Sequence, residues 1–280
     1  MTRENHLCNF FWKRALRLFP ALWVCVGLSL FSVFQSGYFD DLDLNIPHLL
    51  LWLLSQATAF QFYNPDFMRN YGVGVVNGSL WTISVELQFY LLTPLLVVFL
   101  RRNSVWAIGG LVGIFIVLNV CNSAFNDKAI ILQKLFNVSF FPWFYMFVLG
   151  AIVCKYNVLQ KIIIRANIFL LLGLYVFLYF TTKQFGWGNH IHPVAYIVLV
   201  CLVFKLAYMS PDLSDKLIKR NDISYGIYIA HMPVVNYVLS KGYVSWPGIV
   251  ISLLVTLVLA MVSWFLIEKR ALSLKPNPLR

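Results

Sequence analysis

Gly248-Ile-Val-Ile-Ser-Leu-Leu-Val-Thr-Leu-Val-Leu-Ala-Met-Val-Ser-Trp-Phe-Leu-Ile267 is a run of 20 residues without a charge. As a helix rising 1.5 Å per residue it is about 30 Å long, the thickness of the hydrocarbon core of a bilayer. The rest of the chain has the same character. Its 280 residues are 60% hydrophobic and 12% charged, whereas an ordinary soluble domain is about 45–50% apolar and 25% charged. So few charges cannot cover a water-facing surface, which excludes a soluble globular protein, and the high hydrophobicity excludes a disordered one. The composition specifies an all-α, polytopic transmembrane helical bundle in the lipid bilayer.

Seven other stretches have, or nearly have, the length and apolarity of a crossing: 19–39, 83–100, 104–121, 137–154, 167–182, 191–208 and 222–239. A ninth, 47–62, begins at Pro47 and carries Ser55, Gln56, Thr58 and Gln61. It is short and polar enough to lie at the interface or re-enter rather than cross. Charge fixes the orientation. With the N-terminus cytoplasmic and 47–62 not crossing, the inner segments hold Arg3, Lys13, Arg14, Arg17, Arg101, Arg102, Lys155, Lys161, Arg165, Lys216, Lys219, Arg220, Lys269, Arg270, Lys275 and Arg280, which is 16 of the 22 basic residues. The outer segments hold Arg69, Lys128, Lys134, Lys183 and Lys241, and Lys205 snorkels from the inner end of its span. Cytoplasmic loops collect Lys and Arg, so eight crossings with both termini inside are expected, in the plasma membrane. The net charge of +11 is thereby a matter of topology, and no nucleic-acid partner is implied. No soluble domain fits between the spans, so residues 1–280 are read as a single membrane domain.

The five cysteines (Cys8, Cys25, Cys121, Cys154 and Cys201) form no C-x-x-C pair and read as buried, inert thiols rather than a metal or disulfide framework. His190 and His192 lie in an outer loop without further ligands, so no metal site is expected. Tyr38, Trp52, Trp81, Trp143, Trp187 and Trp246 fall near segment ends, where an aromatic belt would place them.

Polar groups inside a bilayer are costly and default to function. In Asn77-Gly-Ser-Leu-Trp-Thr-Ile-Ser-Val-Glu86-Leu-Gln-Phe-Tyr90, Thr82 or Ser84 can cap the following helix, and Glu86 in its first turns suits the macrodipole. The rival reading is a wet cavity near the outer face in which Glu86 binds or deprotonates an alcohol. Arg14 and Arg17 are three apart and share a helix face. They serve either as a positive-inside anchor or as a cytoplasmic anion clamp for a donor such as a coenzyme A thioester. In Asp222-Ile-Ser-Tyr225-Gly-Ile-Tyr228-Ile-Ala-His231-Met-Pro233, His231 lies about 13 Å along a helix from Asp222, near mid-membrane. It is a neutral histidine bonded to a neighbouring helix, or it lines a passage with Tyr225 and Tyr228.

In this order and spacing, the segments resemble the acyltransferase-3 family of integral membrane acyltransferases. Lys13-Arg14-Ala-Leu-Arg17-Leu-Phe-Pro20 is similar to the family's R-x-x-R motif followed by proline. Ser79-Leu-Trp81-Thr-Ile-Ser84-Val-Glu86-Leu-Gln-Phe-Tyr90 is similar to its W-S-L-S-x-E-x-x-F-Y signature, with Thr82 where Ser is usual. Ile223 to Pro233 resembles its S-Y-x-x-Y-x-x-H-x-P stretch, and Ile267-Glu268-Lys269 its closing residues, with Arg270 where Pro is common. The resemblance implies transfer of an acyl group, commonly acetyl, from cytoplasmic acyl-CoA (acetyl-CoA) to a hydroxyl of an exported or surface carbohydrate, with no bound cofactor. It assigns the donor to Arg14 and Arg17 and the acceptor to Glu86, with Trp81, Ser84, Tyr90, Tyr225, Tyr228 and His231 along the passage or acceptor site. Family members usually have ten spans, of which the first carries an arginine and a histidine regarded as catalytic. This sequence starts almost at the arginine segment and is read as lacking two spans. A transporter or flippase of a polar or lipid-linked substrate is the competing function, although the scattered Pro94, Pro142, Pro193 and Pro233 give none of the paired broken helices such proteins often show. A non-catalytic remnant is a third reading.

Overall fold

A computed structural model describes residues 3–40, 42, 44–124, 131–182, 191–210 and 221–275. Among these residues the chain is an all-α helical bundle and forms no strand. The helices are α1 (Arg3–Ser36), α2 (Ile46–Ala57), α3 (Trp81–Arg102), α4 (Val105–Ala124), α5 (Ile131–Asn137), α6 (Phe144–Lys155), α7 (Asn157–Arg165), α8 (Ile168–Thr181), α9 (Pro193–Met209), α10 (Ser224–Ser240), α11 (Trp246–Ser263) and α12 (Lys269–Ser273). A π-turn, Trp264–Glu268, joins the last two.

Four of the expected crossings lie in helical stretches long and apolar enough to cross a membrane: Leu7–Ser36, Gly78–Arg102, Val105–Asn122 and Trp246–Ser273. The 137–154 segment is instead a turn followed by α6, which meets α7 at 95°. Together those two helices make a fifth stretch if counted as one broken span. The apolar α8 and α9 are 14 and 17 residues long. Segment 47–62 forms the 12-residue α2, about 18 Å in length and too short to cross. Its polar tail turns inward, because Gln56 donates to the carbonyls of Gln61 (3.2 Å) and Tyr63 (2.9 Å).

The chain divides into two compact units. One is residues 1–90 with 221–280, and the other is residues 91–220. In the second, Phe115 packs on Phe140 and Phe144, and buried Asn119 donates to the Pro142 carbonyl at 2.9 Å. A small core of Val153, Ile163 and Val200 links α6, α7 and α9.

The first unit carries every polar stretch singled out above. Its α1 begins at Arg3 and continues through Pro20. The arginine segment, residues 13–20, therefore lies within one continuous 34-residue helix. Proline removes one helical hydrogen bond and costs about 3 kcal/mol. Burial of Leu16, Leu18, Ala21 and Leu22 on either side offsets that loss. Helices α1 and α10 run parallel in a fixed register: Tyr225 donates to the Leu18 carbonyl at 3.0 Å, Cys25 to the Ile229 carbonyl at 3.0 Å, and Lys241 to the Gln35 carbonyl at 2.9 Å. Gly226 lets α11 approach closely. A Cβ there would lie 3.0 Å from the Cα of Ala260, and this is the small-residue contact by which helices associate in lipid.

Two sequence expectations are corrected here. Of the cysteines only Cys25 is buried, while Cys8, Cys121 and Cys154 are exposed. Trp52 and Trp143 belong to the interior rather than to an aromatic belt. Trp52 is 1% exposed and bonds Asn64, and Trp143 donates to the Asn137 carbonyl at 2.8 Å. His190, Trp187, Lys128, Lys183 and the inner cluster Lys216, Lys219 and Arg220 lie outside the described residues.

Candidate functional site

The site is built around a carbonyl that proline leaves without a partner. Pro233 has no N–H to offer the carbonyl of Ile229, four residues back. That oxygen is satisfied instead by the Asn77 amide at 2.8 Å and the Cys25 thiol at 3.0 Å. Asn77 also accepts from the backbone N–H (3.3 Å) and hydroxyl (2.7 Å) of Ser79, capping the short 3-10 turn Gly78–Leu80 that leads into α3. The capping residue at this helix start is thus Asn77, through the 3-10 turn, and not Thr82 or Ser84. The loop before it is held by the fully buried Asn236 of α10, which accepts from the Val73 N–H (3.0 Å) and donates to the carbonyls of Val75 (2.9 Å) and Val76 (3.0 Å).

This anchoring decides where Glu86 lies. Asn77 meets α1 at Cys25, and 11 further residues of α1 extend beyond that level to Ser36, a rise of about 16 Å. The turn into α3 therefore starts deep in the bundle and runs antiparallel to α1 towards the arginines. Glu86 was expected near the face opposite the arginine pair. It lies instead a single tyrosine away from Arg14. Tyr90 donates its phenol to Glu86 Oε1, and the Arg14 guanidinium sits 4.9 Å from the centre of the same ring. Phe10 supplies a second ring at 5.4 Å.

Arg17, three residues on, points to a different partner. Its guanidinium donates to Asp222 Oδ2 at 2.5 Å. The other oxygen of Asp222 takes the Ser224 N–H (3.1 Å) and hydroxyl (2.5 Å) at the start of α10. Burial alone would raise the Asp222 carboxyl, but the bonds from Ser224 and Arg17 outweigh it and hold the group below its ordinary value. Lys275, beyond α12, joins this end of the unit. Partial burial, then the charges of Arg17, Arg14 and Lys13, lower its proton affinity. The buried Glu268 is in the π-turn, where it accepts from Ser263 at 2.9 Å.

The remaining sequence-predicted residues divide. Tyr228 shares its hydroxyl with Thr82 and donates to the Ser79 carbonyl at 2.6 Å, so it faces the start of α3. His231 lies beside it, with ring centres 6.1 Å apart. Its Nδ1 is 2.7 Å from the Tyr228 carbonyl, which can only accept, so Nδ1 is the donor in this contact. Trp81, the first residue of α3, is half-buried. Ser84 is taken up by Gln61, donating to its Oε1 at 2.6 Å inside the core, and Tyr225 by the Leu18 carbonyl. The constellation that remains is Arg14–Tyr90–Glu86 with Thr82–Tyr228–His231 beside it. Asn77, Asn236, Asp222, Glu268 and Lys275 have structural or electrostatic parts in the site that sequence reading did not assign.

The chain matches the family described as "Acyltransferase domain" over residues 2–266. It is 31% identical to nodulation protein 10 of Rhizobium leguminosarum bv. viciae, an alignment covering 98% of this chain and 78% of that protein. It is 26% identical to the O-acetyl transferase of Shigella phage Sf6, covering 97% of this chain and 79% of the relative. A third relative, the O-acetyltransferase OatA of Staphylococcus aureus, is 25% identical across 92% of this chain and 46% of its own length. No solved structure matches. The family match passes through the arginine helix, the capped start of α3 and the Tyr228–His231 helix alike, and by it this chain belongs to the acyltransferase-3 family of membrane acyltransferases.

Proposed function

We propose that this acyltransferase moves an acyl group, acetyl by preference, from acyl-CoA bound on the arginine side of the first unit to a hydroxyl of a carbohydrate that is exported or displayed at the cell surface. The arginine side faces the cytoplasm of the plasma membrane in this reading, which the distribution of basic residues supports. The observation that carries the proposal is the succession Arg14, Tyr90, Glu86. It sets a cation suited to a phosphate within one side chain of a carboxylate suited to accept a proton. The names of two relatives, both O-acetyltransferases, support acetyl as the group and oxygen as its destination.

In the reaction, the acceptor hydroxyl gives its proton to Glu86 as its oxygen bonds the thioester carbonyl carbon. The C–S bond then breaks, and coenzyme A leaves as thiol, with the proton returned from Glu86. The phenol of Tyr90 keeps the carboxylate aimed. His231 and Tyr228 line the acceptor's approach. The test is acetylation of surface carbohydrate in a host that lacks its own activity. Glu86→Gln, which keeps the Tyr90 bond but takes no proton, is expected to lower acetylation by about 100-fold or more. Acetylation unchanged in both Glu86→Gln and the Arg14→Ala/Arg17→Ala double variant would remove the assignment.

A further inference from the structure

Arg14 and Arg17 share a helix face, yet their surroundings differ. Arg17 is committed: one oxygen of Asp222 takes its guanidinium at 2.5 Å while the other is occupied by Ser224. Immediately beside this pair, Tyr225 of α10 bonds the Leu18 carbonyl of α1 at 3.0 Å. The Arg17–Asp222 contact is therefore part of the joint that sets the register of α1 against α10. With its Nη2 on the carboxylate, the Arg17 guanidinium is largely neutralised by Asp222 and presents little net charge outward to an anion. Arg14 is in the opposite state. It is exposed, the rings of Phe10 and Tyr90 hold it, and among the described residues its N–H edge meets no acceptor. Lys13 and Lys275 gather on the same end and leave it with excess positive charge.

We propose that Asp222 is a positioning residue: it fixes Arg17 in the α1–α10 joint and so leaves Arg14 as the arginine that meets the anionic donor. This deepens the donor reading above and rests on it. The division of labour is specific to the ion pair, because Asp222→Asn keeps an oxygen for Ser224 while removing the charge that holds Arg17.

The full chain is reconstituted in lipid nanodiscs, and two quantities are measured: equilibrium binding of coenzyme A and the thermal unfolding midpoint. Arg14→Ala is expected to weaken coenzyme A binding by about 10-fold or more with the midpoint unchanged. Arg17→Ala and Asp222→Asn are each expected to lower the midpoint by about 2 °C or more and to weaken binding alike, with no further loss in the double variant. Arg17→Lys, which restores the charge, recovers part of both. If Arg17 instead gripped the donor directly, Asp222→Asn would free it and binding would stay the same or tighten. That outcome, or unfolding effects of the two variants that simply add, overturns the proposal. Absence of coenzyme A binding by the unaltered chain overturns the donor reading, and the unfolding cycle separates that failure from failure of the joint.

Discussion

The amide of Asn77 donates to the carbonyl of Ile229 across 152 residues of sequence, at 2.8 Å, closing the gap that Pro233 leaves in α10. The two features that most resemble helix breakers, an Asn-Gly before α3 and a proline within α10, complete each other. Neither would be comfortable alone in a bilayer, where no water takes up a stray carbonyl.

Asn77→Ala leaves that carbonyl with only the weaker Cys25 thiol donor and removes the cap on the 3-10 turn that leads into α3. A loss of about 1–3 kcal/mol is expected in reversible unfolding of the purified protein. Cys25→Ala, which leaves the amide in place, should cost less. Equal losses in the two variants would contradict this order.

Gly72 has φ +61°, and a Cβ built on it would fall 2.2 Å from Asn236 Oδ1. Gly72→Ala therefore combines backbone strain with displacement of the side chain that pins residues 73–76. A destabilisation of about 1–3 kcal/mol is expected, together with faster proteolysis in 64–76. Gly242→Ala is the comparison, since it has φ +84° but no atom within 4 Å of the added carbon. It should cost less.

The Arg17–Asp222 pair gives a pH dependence of definite sign. Asp222 has a lowered carboxyl in the folded protein. Its contribution is therefore complete above the ordinary aspartate value of 3.8 and is lost as pH falls through the folded value below that. The side chains are 29% and 43% exposed, so the pair contributes roughly 1 kcal/mol or less after screening. The difference in unfolding midpoint between the unaltered chain and Asp222→Asn should be constant from pH 7 to about 4, then shrink in more acid solution. A difference that grows on acidification would give the shift the wrong sign.

Tyr90→Phe keeps the ring beneath Arg14 and deletes the donor to Glu86. Loss of a hydrogen bond to a charged group is worth about 1.5–3 kcal/mol, so kcat is expected to fall roughly 10- to 100-fold while KM for the acyl donor stays within about twofold. Tyr90→Ala, which removes the ring as well, should raise that KM. Steady-state acetylation at varied donor concentration separates the two.

The helical class was legible in the sequence because hydrophobic mass and charge placement are properties of composition, and 20 uncharged residues in a row admit few structures. The motif stretches could be picked out in the sequence, and all of them lie in one unit. Depth was not legible. Placing Glu86 near the far face assumed that α3 begins at the membrane boundary, whereas its start is set by Asn77 reaching a carbonyl in a helix that arrives much later in the chain. No local pattern encodes such a contact. The same holds for Asp222, which in sequence is only a helix-start residue and in space is the partner of Arg17, 205 positions away. Ser84 and Tyr225 carried the right polarity, but buried acceptors on neighbouring segments claim them.

The deep start of α3 makes the traffic through such an enzyme lopsided. Glu86 is separated from Arg14 by the breadth of one phenol ring, so the carboxylate lies at the arginine end of the unit. In the reaction proposed above, a sugar arriving from the Ser36 end would descend some 16 Å before it reached even the level of Asn77. Discrimination among acceptors would then fall to the pinned loop at 71–77 and the Tyr228–His231 face, so that relatives could exchange one sugar for another there while leaving the arginine, the tyrosine and the carboxylate untouched.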